Sequence, residues 1–197
     1  MNNKIIRFLI PFGIFLLVSS CKESYTPKPY GYFRIQLPEK KYARVGNDLP
    51  YSFELPSYAK IEIDSKKNAE KYWINIQFPG FNSTIHISYK VINGNLAQII
   101  EDSHNMAYKH SVKADAIKET GLYLADKKVF GLLYDIKGDA ASSIQFTVTD
   151  SVKQFVRGAL YFNSIPNKDS LVPVIQFIRK DVEHIMETFE WNKMPLK

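Results

Sequence analysis

The sequence predicts an α+β fold: a single domain built on a largely antiparallel sheet with two principal helices packed on it. Three observations point there. Apolar and polar residues alternate at period two in several separate segments, as half-buried strands require. Short turns such as 79–82 and 138–139 join these segments, which favours antiparallel hairpins. Two stretches, one mid-chain and one near the end, instead carry apolar residues at helical spacing. Runs of strands interrupted by only two helices fit layered α+β packing.

Tyr30 to Leu37 reads as an edge strand ended by Pro38, and Tyr51 to Leu55 as a short strand between Pro50 and Pro56. Ala59, Ile61 and Ile63 alternate with Lys60 and Glu62. Tyr72, Ile74, Ile76 and Phe78 alternate with Trp73, Asn75 and Gln77; Pro79 to Asn82 turns the chain; Ile85, Ile87, Tyr89 and Val91 then alternate with His86, Ser88 and Lys90. These two strands are expected to form a hairpin with one buried and one polar face. Asn93-Gly94 breaks the pattern and Asn95 is a suitable helix cap. Leu96, Ile99, Ile100, Ser103, Ala107 and His110 then follow helical spacing, which predicts a helix over 96–110.

Residues 113–118 and 121–125 read as two weaker strands. Phe130, Leu132, Tyr134 and Ile136 alternate, Gly138-Asp139 turns, and Ile144, Phe146 and Val148 alternate with Gln145, Thr147 and Thr149. Val156, Gly158, Leu160 and Phe162 follow, set against Phe155, Arg157, Ala159 and Tyr161. After a loop over 163–169, Leu171, Ile175, Ile178, Val182, Ile185 and Phe189 recur at intervals of four and three. That stripe predicts a C-terminal helix with Leu171, Ile178, Val182 and Ile185 buried against the sheet, Asp181, His184 and Glu187 off the stripe, and Pro173 in the first turn. The layout is loosely similar, by analogy alone, to the PsbP and Mog1 type of α/β sandwich.

The first twenty residues belong to a different category. Lys4 and Arg7 precede an apolar run from Phe8 to Val18, which ends in Leu17-Val18-Ser19-Ser20-Cys21. A basic start, a short apolar core and small residues at the cut form a secretory signal, and a cysteine just beyond them makes it a bacterial lipoprotein signal. Val18 stands where leucine is commonest. The core is shorter than the roughly 20 residues of a bilayer span. The Cys21 thiol takes a diacylglyceryl group and its freed amine a further acyl chain of the palmitate type. Each buried methylene then contributes about 0.8 kcal/mol of membrane affinity. The expected organisation is a signal peptide over 1–20, a lipidated tether over 21–29 containing Pro27 and Pro29, and one domain over 30–197. At about 3.1 Å per residue the tether would reach roughly 25 Å.

Composition narrows the function classes. The 197-residue chain has formal charge +6, and losing Lys4 and Arg7 with the signal leaves +4. That modest balance is too weak to point to nucleic acid and is compatible with anionic lipid or an acidic partner. Cys21 is the only cysteine, so no internal disulfide is expected. The histidines His86, His104, His110 and His184 form no metal motif, because a spacing of six puts His104 and His110 on opposed sides of a helix. Ser142 or Ser143 with His104 and Asp102 supplies the residue types of a hydrolase triad, yet there is no Gly-x-Ser-x-Gly elbow and no Gly-rich phosphate loop. No catalytic residue, cofactor or metal is therefore expected. Arg157 lies in a strongly apolar strand, where an unpaired charge is costly. A structural carboxylate partner is its default reading, and contact with another protein the alternative. Tyr25, Tyr30, Tyr32 and Phe33 are aromatic enough to stack on a glycan or a partner strand, or to pack on the domain itself.

Several segments resemble one family. Tyr25-Thr26-Pro27-Lys28-Pro29-Tyr30-Gly31-Tyr32-Phe33-Arg34-Ile35 followed by Leu37-Pro38-Glu39-Lys40, the run from Glu101 to His110, Phe130-Gly131 with Tyr134-Asp135, Arg157 to Phe162, and Glu187 to Trp191 are similar to the gliding motility lipoprotein GldD family. The likeness covers essentially the whole chain beyond the signal. It implies a cell-envelope lipoprotein of Bacteroidota-type bacteria, needed for gliding and linked to the type 9 secretion apparatus that exports motility adhesins. It brings no catalytic residues; only the lipidated cysteine carries over, onto Cys21.

The expectation is a non-enzymatic protein, lipid-anchored and facing the periplasm, that supports gliding and type 9 secretion by anchoring and protein–protein contact. Its partners would be other envelope proteins of that machinery. Tyr30, Tyr32, Phe33 and Arg157 are the candidate contacts. The runner-up is an envelope ligand-binding module, for peptidoglycan or lipid, using the polar sheet face. Lys22-Glu23-Ser24 matches neither an inner-membrane retention aspartate nor an acid-rich surface-export signal, so the choice of membrane stays open.

Overall fold

Alternating side chains commit a strand to two different faces, and here both faces of the main sheet are put to use. The computed structural model describes residues 35–109, 114–163 and 168–193. In chain order the elements are β1 (Tyr42–Val45), β2 (Tyr51–Pro56), β3 (Lys60–Ile63), β4 (Ile74–Phe78), β5 (Ser83–Val91), α1 (Leu96–Tyr108), β6 (Ala114–Leu124), β7 (Val129–Gly138), β8 (Ser142–Thr149), β9 (Gln154–Phe162), α2 (Lys168–Glu187) and β10 (Glu190–Trp191). They form two antiparallel sheets, one of seven strands in the order β3-β4-β5-β9-β8-β7-β6 and one of three in the order β1-β2-β10. The α+β class read from the sequence is therefore observed.

Period-two alternation divides the large sheet's side chains cleanly. Ile74, Ile76, Ile85, Ile87, Tyr89, Leu133, Ile144, Phe146, Val148, Val156 and Leu160 point to one face. There they form a single core with Tyr51, Phe53 and Leu55 of β2 and with Ile178, Val182, Ile185 and Met186 of α2. Tyr134 and Ile136 of β7 point the other way and pack with Ala107 of α1 in a second, smaller cluster. The sheet thus separates α1 from a layer made by α2 and the small sheet. The hairpin over 74–91 forms as predicted, through a turn in which Asn82 takes the left-handed conformation (φ 46°). Its polar face is not open to water, since Asn75 and Thr84 are buried there.

Several expectations are corrected. Of the predicted edge strand, residues 30–34 lie outside the described residues, and 35–41 carry no strand; the first strand begins at Tyr42. The two weak strands over 113–118 and 121–125 are one strand, β6, which runs through Gly121 opposite Leu132. Ile63, expected inside, is 78% exposed, because β3 is an edge strand. Leu171 is only half-buried and Val174 takes its place in the core. Pro173 is in the second turn of a helix starting at Lys168, so one intrahelical hydrogen bond is forgone. Asn95 precedes α1 without capping it: its Oδ1 accepts from the Asn93 amide, while its carbonyl receives the Ile99 N–H. His110 lies outside the described residues.

Candidate functional site

The polar face of the large sheet meets α1 across a cleft of about 630 Å³. Small residues bring the helix close, since Ser103 and Ala107 are its two buried positions. Strand pairing lines up the polar groups beneath it. Asn75 opposes His86, Ser88 opposes Arg157, and Arg157 opposes Thr147, which is two residues along β8 from Gln145. Trp73, Ile99, Met106 and Phe155 add apolar wall, with Lys66 and Lys90 also lining the cleft.

Arg157 does not take the carboxylate partner expected of it. Its Nη2 donates to Oε1 of Gln145, and among the described residues no carboxylate lies within ion-pair distance. Burial lowers its affinity for the proton, and the nearby Tyr161 and Tyr134 hydroxyls partly offset that. Gln145 is 1% exposed, and among the described residues its Nε2 has no hydrogen-bond partner. A buried amide donor left open beside a half-buried guanidinium is unusual, because such groups cost free energy unless satisfied. His86 shares a hydrogen bond with Oδ1 of Asn75; as that oxygen can only accept, His86 Nδ1 is the donor. Burial, and then the charge of Lys66, hold the His86 imidazole below its ordinary value, with Asp64 pulling the other way. Burial and the charge of Glu119 push the Tyr134 hydroxyl up to about 12.

The remaining candidates are dispersed. His104 is stacked on Tyr108 at 4.3 Å and stands 3.8 Å from Glu119. Ser142 is fully buried and donates to the carbonyl of Ile144, and Asp102 accepts from Gln98. None of these hydrogen bonds joins two members of the serine–histidine–aspartate set. Ser143 lines a second cavity, of about 620 Å³, where Arg179 and Asp135 already form a two-pronged pair at 2.6 and 2.9 Å. Among the described residues no group of three or more His, Cys, Asp or Glu is placed to hold a metal ion. Cys21, Tyr25, Tyr30, Tyr32 and Phe33 lie outside the described residues.

A further cluster was not anticipated. Asp181 is fully buried, although it was expected away from the core. It accepts from Lys40, from the Tyr42 hydroxyl at 2.8 Å and from the Tyr58 hydroxyl at 2.7 Å. Lys40 also donates to the Phe177 carbonyl at 3.0 Å and sits 3.8 Å from the centre of its ring. Burial, reinforced by the Asp181 carboxylate, drives both tyrosine hydroxyls far above their usual range and keeps them as donors. The chain entering the domain is thereby pinned to α2. A signal was present: Asp181 stands three residues after Ile178 and four before Ile185, which is on the stripe. Nothing in the sequence marked Lys40, and Gln145 looked like any strand residue on a polar face.

The fold is shared with a solved protein. The chain resembles the solution structure of cyanobacterial PsbP (CyanoP) from Synechocystis sp. PCC 6803, with TM-score 0.50 and 7% identity over 83% of this chain and 98% of that one. At that identity the likeness concerns the fold alone. No curated protein matches the chain significantly. No described helix is long and apolar enough to cross a membrane. The family described as gliding motility lipoprotein GldD matches residues 22–191, starting at the residue after Cys21, and the chain belongs to that family.

Proposed function

We propose that this gliding-motility lipoprotein is held to the envelope by acyl chains on Cys21, after removal of residues 1–20, and faces the periplasm. There it supports the gliding and type 9 secretion machinery through protein–protein contact, without catalysing a reaction. The observation that carries this reading is the family match over 22–191, which begins directly behind the lipoprotein signal. The state of the reactive side chains supports it. Ser142, His86 and His184 each have a structural hydrogen bond, to Ile144, Asn75 and Glu54. Helix α1 meanwhile leaves Ile100, Met106 and Tyr108 exposed, as a contact surface needs.

The test is spreading and adhesin secretion in cells carrying lipidated variants at normal abundance. Ser143→Ala and His104→Ala should behave as wild type, because contact surfaces draw their energy from a few large anchors. Paired substitution of Tyr32 and Phe33 should impair both readouts. The opposite pattern would overturn contact in favour of catalysis. A ligand-binding role is a second reading, favoured by one observation: the cleft beneath α1 is lined by a half-buried arginine with no carboxylate partner among the described residues.

A further inference from the structure

We propose that the cleft between α1 and the polar sheet face binds a small organic anion, a carboxylate carried on an apolar body, with Arg157 as its anchor. This deepens the second, ligand-binding reading and rests on it.

Three features of the cleft specify that chemistry. The first is charge. Arg157 is fixed on the central strand β9, and Gln145 orients its guanidinium through Nη2. Its planar fork carries five donors, and among the described residues its side chain bonds Gln145 alone, which leaves room for a two-pronged acceptor. A carboxylate matches that fork, and within the low dielectric of the cleft it would complete the charge pair that the sheet lacks. The second is the open amide of Gln145. Gln145 does not itself line the cleft, but it holds the guanidinium that does, and its buried Nε2 has no hydrogen-bond partner among the described residues, so the pair is short of an acceptor. The third is the wall. Trp73, Ile99, Met106 and Phe155 line the same space, so the anion's body is apolar, and about 630 Å³ suits a small molecule.

The other charged groups agree with a single negative charge. Lys66 and Lys90 line the cleft, with Lys90 paired to Glu70. Asp64 and Asp102 also line it, and each already accepts a hydrogen bond, from the Lys66 amide and from Gln98. These two acids disfavour a multiply charged phosphate relative to a carboxylate. A fatty acid and an apolar C-terminal residue of a peptide both present this chemistry.

Trp73 is the reporter. Trp191→Phe removes the other tryptophan, whose indole donates to the Lys128 carbonyl instead. The full chain, in neutral detergent micelles, is titrated with hexanoate, N-acetyl-leucine and inorganic phosphate while Trp73 fluorescence is followed. Hexanamide and N-acetyl-leucinamide are the matched neutral probes. Saturable change is expected with at least one carboxylate, and binding at least tenfold weaker with its amide. The stronger carboxylate tells a fatty-acid source from a peptide one. Arg157→Met should weaken the carboxylate at least tenfold and leave the amide unchanged, with far-ultraviolet circular dichroism as the folding control. If Arg157→Met does not fold, the carboxylate-to-amide ratio in the wild-type side chain set decides alone. No saturable change with either carboxylate, equal affinity for acid and amide, or tighter binding of phosphate than of both carboxylates would overturn the proposal. None of those results bears on anchoring or on protein contact, which are read in cells.

Discussion

Gly158 has no room for a β-carbon. One built there would lie 2.2 Å from Cε1 and 2.3 Å from Cζ of Phe146, whose ring covers the glycine from the neighbouring strand. Phe146 is 1% exposed and has nowhere to retreat within a close-packed core. Gly158→Ala should therefore destabilise the fold by about 1–3 kcal/mol or more. A lowered midpoint in urea would show this, and an unchanged midpoint would mean that the ring has a second resting place. Asp150 acts at the same scale by charge. Burial alone would raise its carboxyl, but the backbone N–H groups of Lys153, Gln154 and Val152, at 2.7, 2.8 and 2.9 Å, outweigh burial and hold it below its ordinary 3.8. A carboxyl whose folded pKa is depressed stabilises the fold fully above the unfolded value and loses that contribution as pH falls through the folded one. Asp150→Ala should cost about 1–3 kcal/mol at pH 7. The gap to wild type should begin to narrow below about pH 4, so it should be smaller at pH 3 than at pH 7 by urea unfolding.

At the scale of elements, α2 binds the two sheets together. Its buried edge runs through Val174, Ile178, Val182 and Ile185, and Asp181 lies within that edge. Ile185→Ala should lower stability by about 2–5 kcal/mol, as large-to-small changes in a core do. A melting midpoint equal to wild type would place the stripe on the wrong side. Asp181→Ala leaves Lys40 beside Phe177 without its counter-charge and two tyrosine hydroxyls without their acceptor. The expected cost is about 3–5 kcal/mol, typical of a buried pair broken on one side. Chemical denaturation measures it, and a loss under 1 kcal/mol would show that the cluster is dispensable. The hairpin over 74–91 and the strands β7, β8 and β9 were legible because their own alternation states their faces. By contrast, β1 and β10 are four and two residues long and exist only by pairing with β2. No period can be read from so few positions. Residues 119–120 looked like a gap between two strands, yet β6 runs straight through them, with Glu119 opposite Tyr134 and Thr120 opposite Leu133, because pairing with β7 satisfies their backbone groups.

For the molecule as a whole, attachment and fold are separate matters. Cys21→Ala should abolish incorporation of a fatty-acid analogue and release the protein from membranes, because the apolar run of residues 8–18 is short for a bilayer span. Label or full membrane retention in the variant would count against Cys21 as the anchor. The attachment proposed at Cys21 rests on neighbouring residues alone, from Lys4 to Cys21, because signals of this type are read as unfolded segments. The fold class and most element types were readable in the same local way, from periods of two and 3.6 that neighbouring residues set among themselves. Burial and pairing across the sheet were not. Asp181 meets Lys40 over a separation of 141 residues, and Arg157 meets Gln145 rather than an acid because β8 lies beside β9 in this register. Composition decides which charges must find partners. Only the tertiary arrangement, which sets distances between residues remote in the chain, decides which partners they find and leaves one arginine facing a cleft.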